Sequence, residues 1–183
     1  MFMNIQALDG GILLWLQSVR NPVLDGLLTA YTQLGNAGIG WIVLSVALLF
    51  FKRTRKSGAL ALCAMLFGLV GTNLVLKNLV QRIRPYEMVE GLEHLVHITD
   101  PNSFPSGHTT AAFAAGVVWF RTLPARWARI LALASAFLMA FSRLYVGVHY
   151  PTDVLAGAVM GTVCALLALW LGKRWKVLNR LGE

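Results

Sequence analysis

Charge is what this sequence has least of. Only 13% of its 183 residues are charged, with eight aspartates and glutamates against sixteen lysines and arginines. Soluble domains carry about a quarter, so a water-facing surface all round is excluded. Cysteine is nearly absent: Cys63 and Cys164 both fall in apolar runs without metal-ligand spacing, which reads as two small buried hydrophobes and no disulfide. The N-terminus lacks the basic stretch and small-residue cleavage site of a secretory signal. Insertion is therefore expected to rely on the spanning helices themselves. No internal repeat, low-complexity tract or soluble domain interrupts residues 1–183, which read as one integral-membrane domain. What is abundant is apolar surface, with 57% hydrophobic residues and a mean hydropathy of +0.63.

A formal net charge of +8 would suit nucleic acid if the basic residues formed one patch. They do not. Eleven of the sixteen sit in three clusters, Lys52–Lys56, Arg121–Arg129 and Lys173–Arg180, each at the end of an apolar run. This is the pattern of cytoplasmic loops under the positive-inside rule. The charge reports topology and gives no support for a nucleic-acid partner.

The predicted fold class is all-α, a polytopic transmembrane bundle of about five spans with six possible. Residues 4–34 are interrupted by Asp9, Gly10, Gly11, Arg20, Asn21, Pro22 and Asp25, so two interfacial helices, about 5–19 and 22–33, are expected there. A single tilted span through Pro22 is the alternative. Spans are then expected at 35–51, from Gly58 to near Arg84, from Ser106 or Gly107 to Arg121, at about 125–146 and at about 151–171. Residues 86–104, with Glu87, Glu90, Glu93, His94, His97 and Asp100, form a polar loop on the outer side. Small residues in every span let the helices approach closely.

Three constellations carry chemistry, each with a plainer alternative. Lys77 and Arg84 are seven residues apart, so a continuing helix would put both on one face with Gln81 between them. Ionisable groups at that depth line a polar cavity or pair with an anion, or they snorkel, which suits Arg82. Pro105-Ser106-Gly107-His108 opens a helix, where backbone N–H groups and the dipole favour an anion. Capping by Ser106 alone would also account for it, except for the histidine in the first turn. Finally, Ser142-Arg143 precedes His149, and Asp153 follows four residues later. That spacing brings a carboxylate beneath an imidazole and leaves the other ring nitrogen free to attack, or it is a structural pair capping the last helix. On the proposed topology all three meet at the outer membrane face.

Together these residues resemble the type 2 phosphatidic acid phosphatase superfamily, the lipid phosphate phosphatases, whose signature is K-x6-RP, PSGH and SR-x5-H-x3-D. It is matched by Lys77 to Arg84-Pro85, by Pro105 to His108, and by Ser142-Arg143, His149 and Asp153. The resemblance implies a metal-independent hydrolase without cofactor that works through a phosphohistidine. In it, His149 is the nucleophile, Asp153 its orienting carboxylate and His108 the general acid and base. Lys77, Arg84, Ser106, Gly107 and Arg143 would hold the phosphoryl oxygens. No carboxylate cluster fit for magnesium is present, and His94 with His97 is a weak metal pair.

The implied partners are the bilayer and a lipid phosphate. The compact chain resembles bacterial members that act on undecaprenyl diphosphate, in the plasma membrane with the site on the extracytoplasmic side. Phosphatidylglycerol phosphate and phosphatidic acid are competing substrates. A vanadate-dependent haloperoxidase shares the anion pocket but is soluble, and a non-catalytic lipid-binding or lipid-flipping protein is the alternative of another class.

Overall fold

The computed structural model describes residues 2–174, with side chains from residue 6 onward; Lys176 and Arg180 of the expected basic tail lie outside the described residues. Among the described residues there is no strand. The helices are α1 (Phe2–Ser18), α2 (Pro22–Gln33), α3 (Ile39–Leu49), α4 (Arg55–Gly68), α5 (Lys77–Val80), α6 (Pro85–Met88), α7 (Gly107–Thr122), α8 (Arg126–Tyr145) and α9 (Pro151–Arg174). Three stretches are long and apolar enough to cross a bilayer: Arg55–Met88, Arg126–Tyr145 and Pro151–Arg174. The protein is an all-helical integral membrane protein.

Helix α7 is the hub, packed against α4, α8 and α9. Its 16 residues rise roughly 24 Å, short of the ~30 Å hydrocarbon core. Its alanines explain its position. Ala112, Ala114 and Ala115 are fully buried, and small side chains let neighbouring backbones come close where lipid offers no hydrophobic drive for association. At Gly161 of α9 an added Cβ would lie 2.8 Å from the Phe113 Cβ and 2.9 Å from the Ala114 backbone nitrogen, so α9 touches the α7 main chain there. The large side chains go the other way. Leu155, Val159, Val163, Leu166 and Trp170 of α9 all point outward, the arrangement expected where the solvent is lipid.

Two segments depart from the sequence expectation. The expected span 35–51 is not one helix. A 3₁₀ turn at Asn36–Gly38 precedes α3, with Ala37 at φ 50° and Gly38 at φ 71°. The 11 residues of α3 are too few to cross alone, and α2 with residues 36–49 meets the criteria only as a pair bent by 51°. The second departure is the end of the α4 to α5 helix. It widens into a π-helical stretch at Leu69–Leu76, a feature frequent at functional sites. It then stops at Val80, where Gln81 turns left-handed at φ 48°. The helix was expected to reach Arg84, on the ground that Pro85 excludes helical geometry just before it. Instead Pro85 serves as the first residue of α6, and the chain from 81 to 84 is non-helical.

The remaining elements lie close to expectation: α2 at 22–33, α7 capped by Ser106, α8 within 125–146, and α9 from Pro151. α1 begins at Phe2 rather than residue 5. The α7–α9 contact gives a direct test. Gly161→Ala forces a methyl group against the α7 backbone and is expected to cost about 1–3 kcal/mol, read as a lower thermal unfolding midpoint in detergent. Gly11→Ala, where a Cβ meets open space, leaves the midpoint unchanged or raises it.

Candidate active site

The end of α5, the 81–84 segment, the start of α7 and the α8–α9 turn surround a cavity of about 830 Å³. Lys77, Arg84, Gly107, His108, Arg143 and His149 line it. Six of the eight sequence candidates thus share one space. The other two stand behind its wall. Asp153 is fully buried beneath His149. Ser106 is fully buried too, and its hydroxyl accepts from the Thr109 amide at 3.4 Å and from the Thr109 hydroxyl at 2.9 Å as the N-cap of α7.

Lys77 and Arg84 arrive by a different route from the one expected. They do not share a helical face, because α5 ends between them. Both reach the cavity all the same, and both hold Asp100 of the polar loop. The Lys77 ammonium bonds the Asp100 carboxylate, and the Arg84 Nε and NH2 donate to its main-chain carbonyl at 3.1 and 3.0 Å. Burial pushes the Asp100 carboxyl up, but the bonds from Lys77 and the Asn102 amide and the charge of Arg84 outweigh it and hold the group below the usual range. An anionic side chain therefore sits on the cations of the cavity.

Arg84 also fixes the chemistry of His149. Its NH1 lies 2.9 Å from the Val148 carbonyl and 3.1 Å from His149 Nε2. A guanidinium only donates, so Nε2 carries the lone pair and Nδ1 the proton. Nδ1 faces Asp153 Oδ2 at 3.6 Å and the Ser103 hydroxyl at 3.5 Å, ion-pair and long-contact distances rather than a tight hydrogen bond. Asp153 is in turn bound by the Ser103 hydroxyl and by the Tyr150 amide at 2.9 Å. Burial dominates the ionisation of His149; the contact with Asp153 opposes it, and the charges of Arg84 and Arg143 reinforce it. The pKa falls from 6.5 to about 3, so the ring is neutral at physiological pH.

Arg143 is almost fully buried. Its NH1 donates to the Thr32 hydroxyl of α2 at 2.7 Å, while its Nε has no partner among the described residues. Leaving a charged donor unpaired at such depth is costly, and a bound anion would satisfy it. His108 Nε2 stands 3.0 Å from the Asn36 side-chain oxygen in the α2–α3 turn. Across the α7 start, an added Cβ at Gly107 would come within 3.1 Å of the Asn73 side-chain oxygen.

Sequence reasoning passed over Asp100, Ser103, Asn36 and Thr32, which lie outside any spacing pattern. Arg82 was assigned to snorkelling, and the structure corrects this. It donates to Asp153 Oδ1 at 2.7 Å, to the Thr152 hydroxyl at 2.6 Å and to Asp9 at 3.0 Å. A legible signal existed, since Asp9 interrupts an otherwise apolar helix and such a carboxylate needs a buried partner. Among the described residues no three His, Cys, Asp or Glu side chains are grouped to hold a metal. His94 instead stacks on Tyr86 at 4.2 Å.

A membrane-embedded helical bundle that gathers cations and histidines at one cavity is suited to phosphoryl chemistry, and the chain belongs to the PAP2 superfamily, which residues 58–176 match. It is a hydrolase acting on lipid phosphates. It is 34% identical over 146 residues to an undecaprenyl-diphosphatase of Sulfolobus acidocaldarius, covering 80% of this chain and 69% of that protein. It is 27% identical over 166 residues to the lipid A 4'-phosphatase of Bacteroides thetaiotaomicron, covering 84% and 72%. The crystal structure of a transmembrane PAP2-type phosphatidylglycerolphosphate phosphatase from Bacillus subtilis superimposes with a TM-score of 0.77 at 29% identity, covering 94% of this chain and 88% of that one.

Two measurements test the electrostatics. Asp100→Asn removes the internal anion and is expected to tighten orthovanadate binding roughly fivefold, the ~1 kcal/mol of a partly exposed pair, as read by calorimetry. For His149, the folded pKa lies below the unfolded 6.5. Its contribution is therefore complete above pH 6.5 and is lost as pH falls toward about 3, at up to about 1.4 kcal/mol per pH unit. Thermal midpoints between pH 7 and 5 should fall more steeply in the wild type than in His149→Gln.

Proposed function

We propose that the protein is a lipid phosphatase that transfers a phosphoryl group to His149 and then to water, with undecaprenyl diphosphate as substrate. The observation that carries this is a neutral imidazole whose unprotonated Nε2 meets a cavity lined by Lys77, Arg84 and Arg143. A phosphate seated among those three cations would draw Arg84 onto its oxygens and leave that lone pair to meet phosphorus. Nε2 forms a bond to phosphorus as the bond from phosphorus to the leaving oxygen breaks. His108, protonated while the anionic substrate is bound, gives that oxygen its proton and becomes neutral. Asp153, facing the Nδ1 proton, offsets the positive charge the ring acquires. His108 then takes a proton from water, whose oxygen displaces Nε2 from phosphorus and releases phosphate.

The cations and the Gly107 amide at the α7 start hold the phosphoryl oxygens as charge redistributes in the transition state. Every step is performed by side chains, and none is assigned to a metal. The cavity lies at the opposite helix ends from Lys52–Lys56, Arg121–Arg129 and Lys173. With those clusters inside, it opens on the extracytoplasmic side of a bacterial plasma membrane. Five crossings follow if α2 and α3 form one bent crossing and α7 the short central one.

The relatives are named for undecaprenyl diphosphate, lipid A and phosphatidylglycerolphosphate, so the head group is tested directly. Purified protein in detergent with EDTA is expected to release phosphate fastest from undecaprenyl diphosphate, ahead of phosphatidylglycerol phosphate and phosphatidic acid. His149→Ala should lose at least roughly 10³-fold in turnover. Full activity in that variant would instead point to a lipid-binding or lipid-flipping role, and loss of activity on adding EDTA would overturn the metal-free mechanism.

A further inference from the structure

Helix α1 lies outside the segments that carry the catalytic pattern, yet it sends one carboxylate into the site. Asp9 is 3% exposed. Its Oδ2 accepts from Arg82 NH2 at 3.0 Å and from the Thr152 hydroxyl. Arg82 NH1 bonds Asp153 Oδ1 at 2.7 Å, and its guanidinium carbon lies 3.8 Å over the Tyr150 ring. The far oxygen of Asp153 faces the Nδ1 proton of His149. An uninterrupted line of polar contacts therefore runs from α1 through the 81–84 segment to the start of α9 and the His149 ring.

The charges along that line matter more than the bonds. Arg82 alone on Asp153 would make a neutral pair, and a neutralised carboxylate offers little to an imidazole that becomes cationic when phosphorylated. Two carboxylates on one guanidinium leave a net negative charge, and in a buried site that charge is poorly screened. We propose that Asp9 is a positioning residue for His149: by sharing Arg82 with Asp153, it keeps the Asp153 carboxylate negative toward the ring. α1 is then part of the catalytic apparatus as well as an anchor. This rests on His149 acting as the nucleophile.

A residue that acts only on the charged intermediate changes turnover and leaves ground-state binding alone. Asp9→Asn preserves shape and removes the charge. It is expected to lower kcat at least tenfold with KM within twofold, and to leave the thermal midpoint within a few degrees. The control is Gln17→Ala, on the same helix. Gln17 ties α1 to the loop through the Gly91 carbonyl at 2.8 Å and the Glu93 amide at 2.7 Å and carries no charge. It should lower the midpoint and leave kcat within twofold. Equal losses of kcat in both variants would show that α1 serves only as scaffold and would overturn the proposal.

A second readout needs no turnover. The chain has four histidines, so the Nδ1 proton of His149 can be assigned in ¹⁵N-histidine-labelled protein by its loss in His149→Gln. In Asp9→Asn that proton should move upfield as Asp153 loses its hold on it; an unmoved resonance would refute the charge argument. Should the wild type release no phosphate from any lipid, the nucleophile assignment fails, and the resonance still decides whether Asp9 acts on His149.

Discussion

Putting cations into an apolar bundle is the constraint around which this structure is arranged. Lys77, Arg84 and Arg143 are each less than a tenth exposed, within a bundle whose outer faces are fitted to lipid. Each would be expensive there without compensation. The compensation is specific. Carbonyls of Asp100 and Val148 take the guanidinium of Arg84, the Asp100 carboxylate takes Lys77, and Arg143 has one hydroxyl and one idle donor. The pocket is thus nearly but not fully satisfied, which is the condition for binding an anion strongly without collapsing in its absence.

The bundle achieves this by segregating size. Alanine and glycine fill the seams between α7 and its neighbours, so main chains nearly touch. Bulky residues are left to face hydrocarbon. The seams carry the cavity residues at their ends, where helices start with free N–H groups and stop with free carbonyls. Arg143 and His149 flank the α8–α9 turn, His108 stands in the first turn of α7, and Lys77 begins the last turn of α5.

Much of this was legible in the sequence. The apolar runs located α8 and the start of α9 almost to the residue, and Ser106 with Gly107 marked the start of α7, because caps and breakers are local signals. The three spaced motifs named six residues that share the cavity. What local signals could not give was the path between motifs. Lys77 and Arg84 were placed on a common helix because nothing in Gln81 announces a left-handed turn. The span expected at 35–51 hid a break at Ala37 and Gly38 that hydropathy does not register. The supporting shell of Asp9, Arg82, Ser103 and Asn36 was missed because its members belong to four separate segments and meet only on folding.

The early stop of the helix at Val80 has a geometric result. Beyond the left-handed Gln81 the chain leaves the helix, on which residues two apart would point to nearly opposite sides. Arg82 and Arg84 reach the two ends of a single imidazole–carboxylate couple, one at the outer oxygen of Asp153 and the other at Nε2 of His149. The short non-helical stretch from 81 to 84 works as a pair of callipers set across that couple. One residue inserted between Arg82 and Arg84 would close the jaws on the wrong atoms.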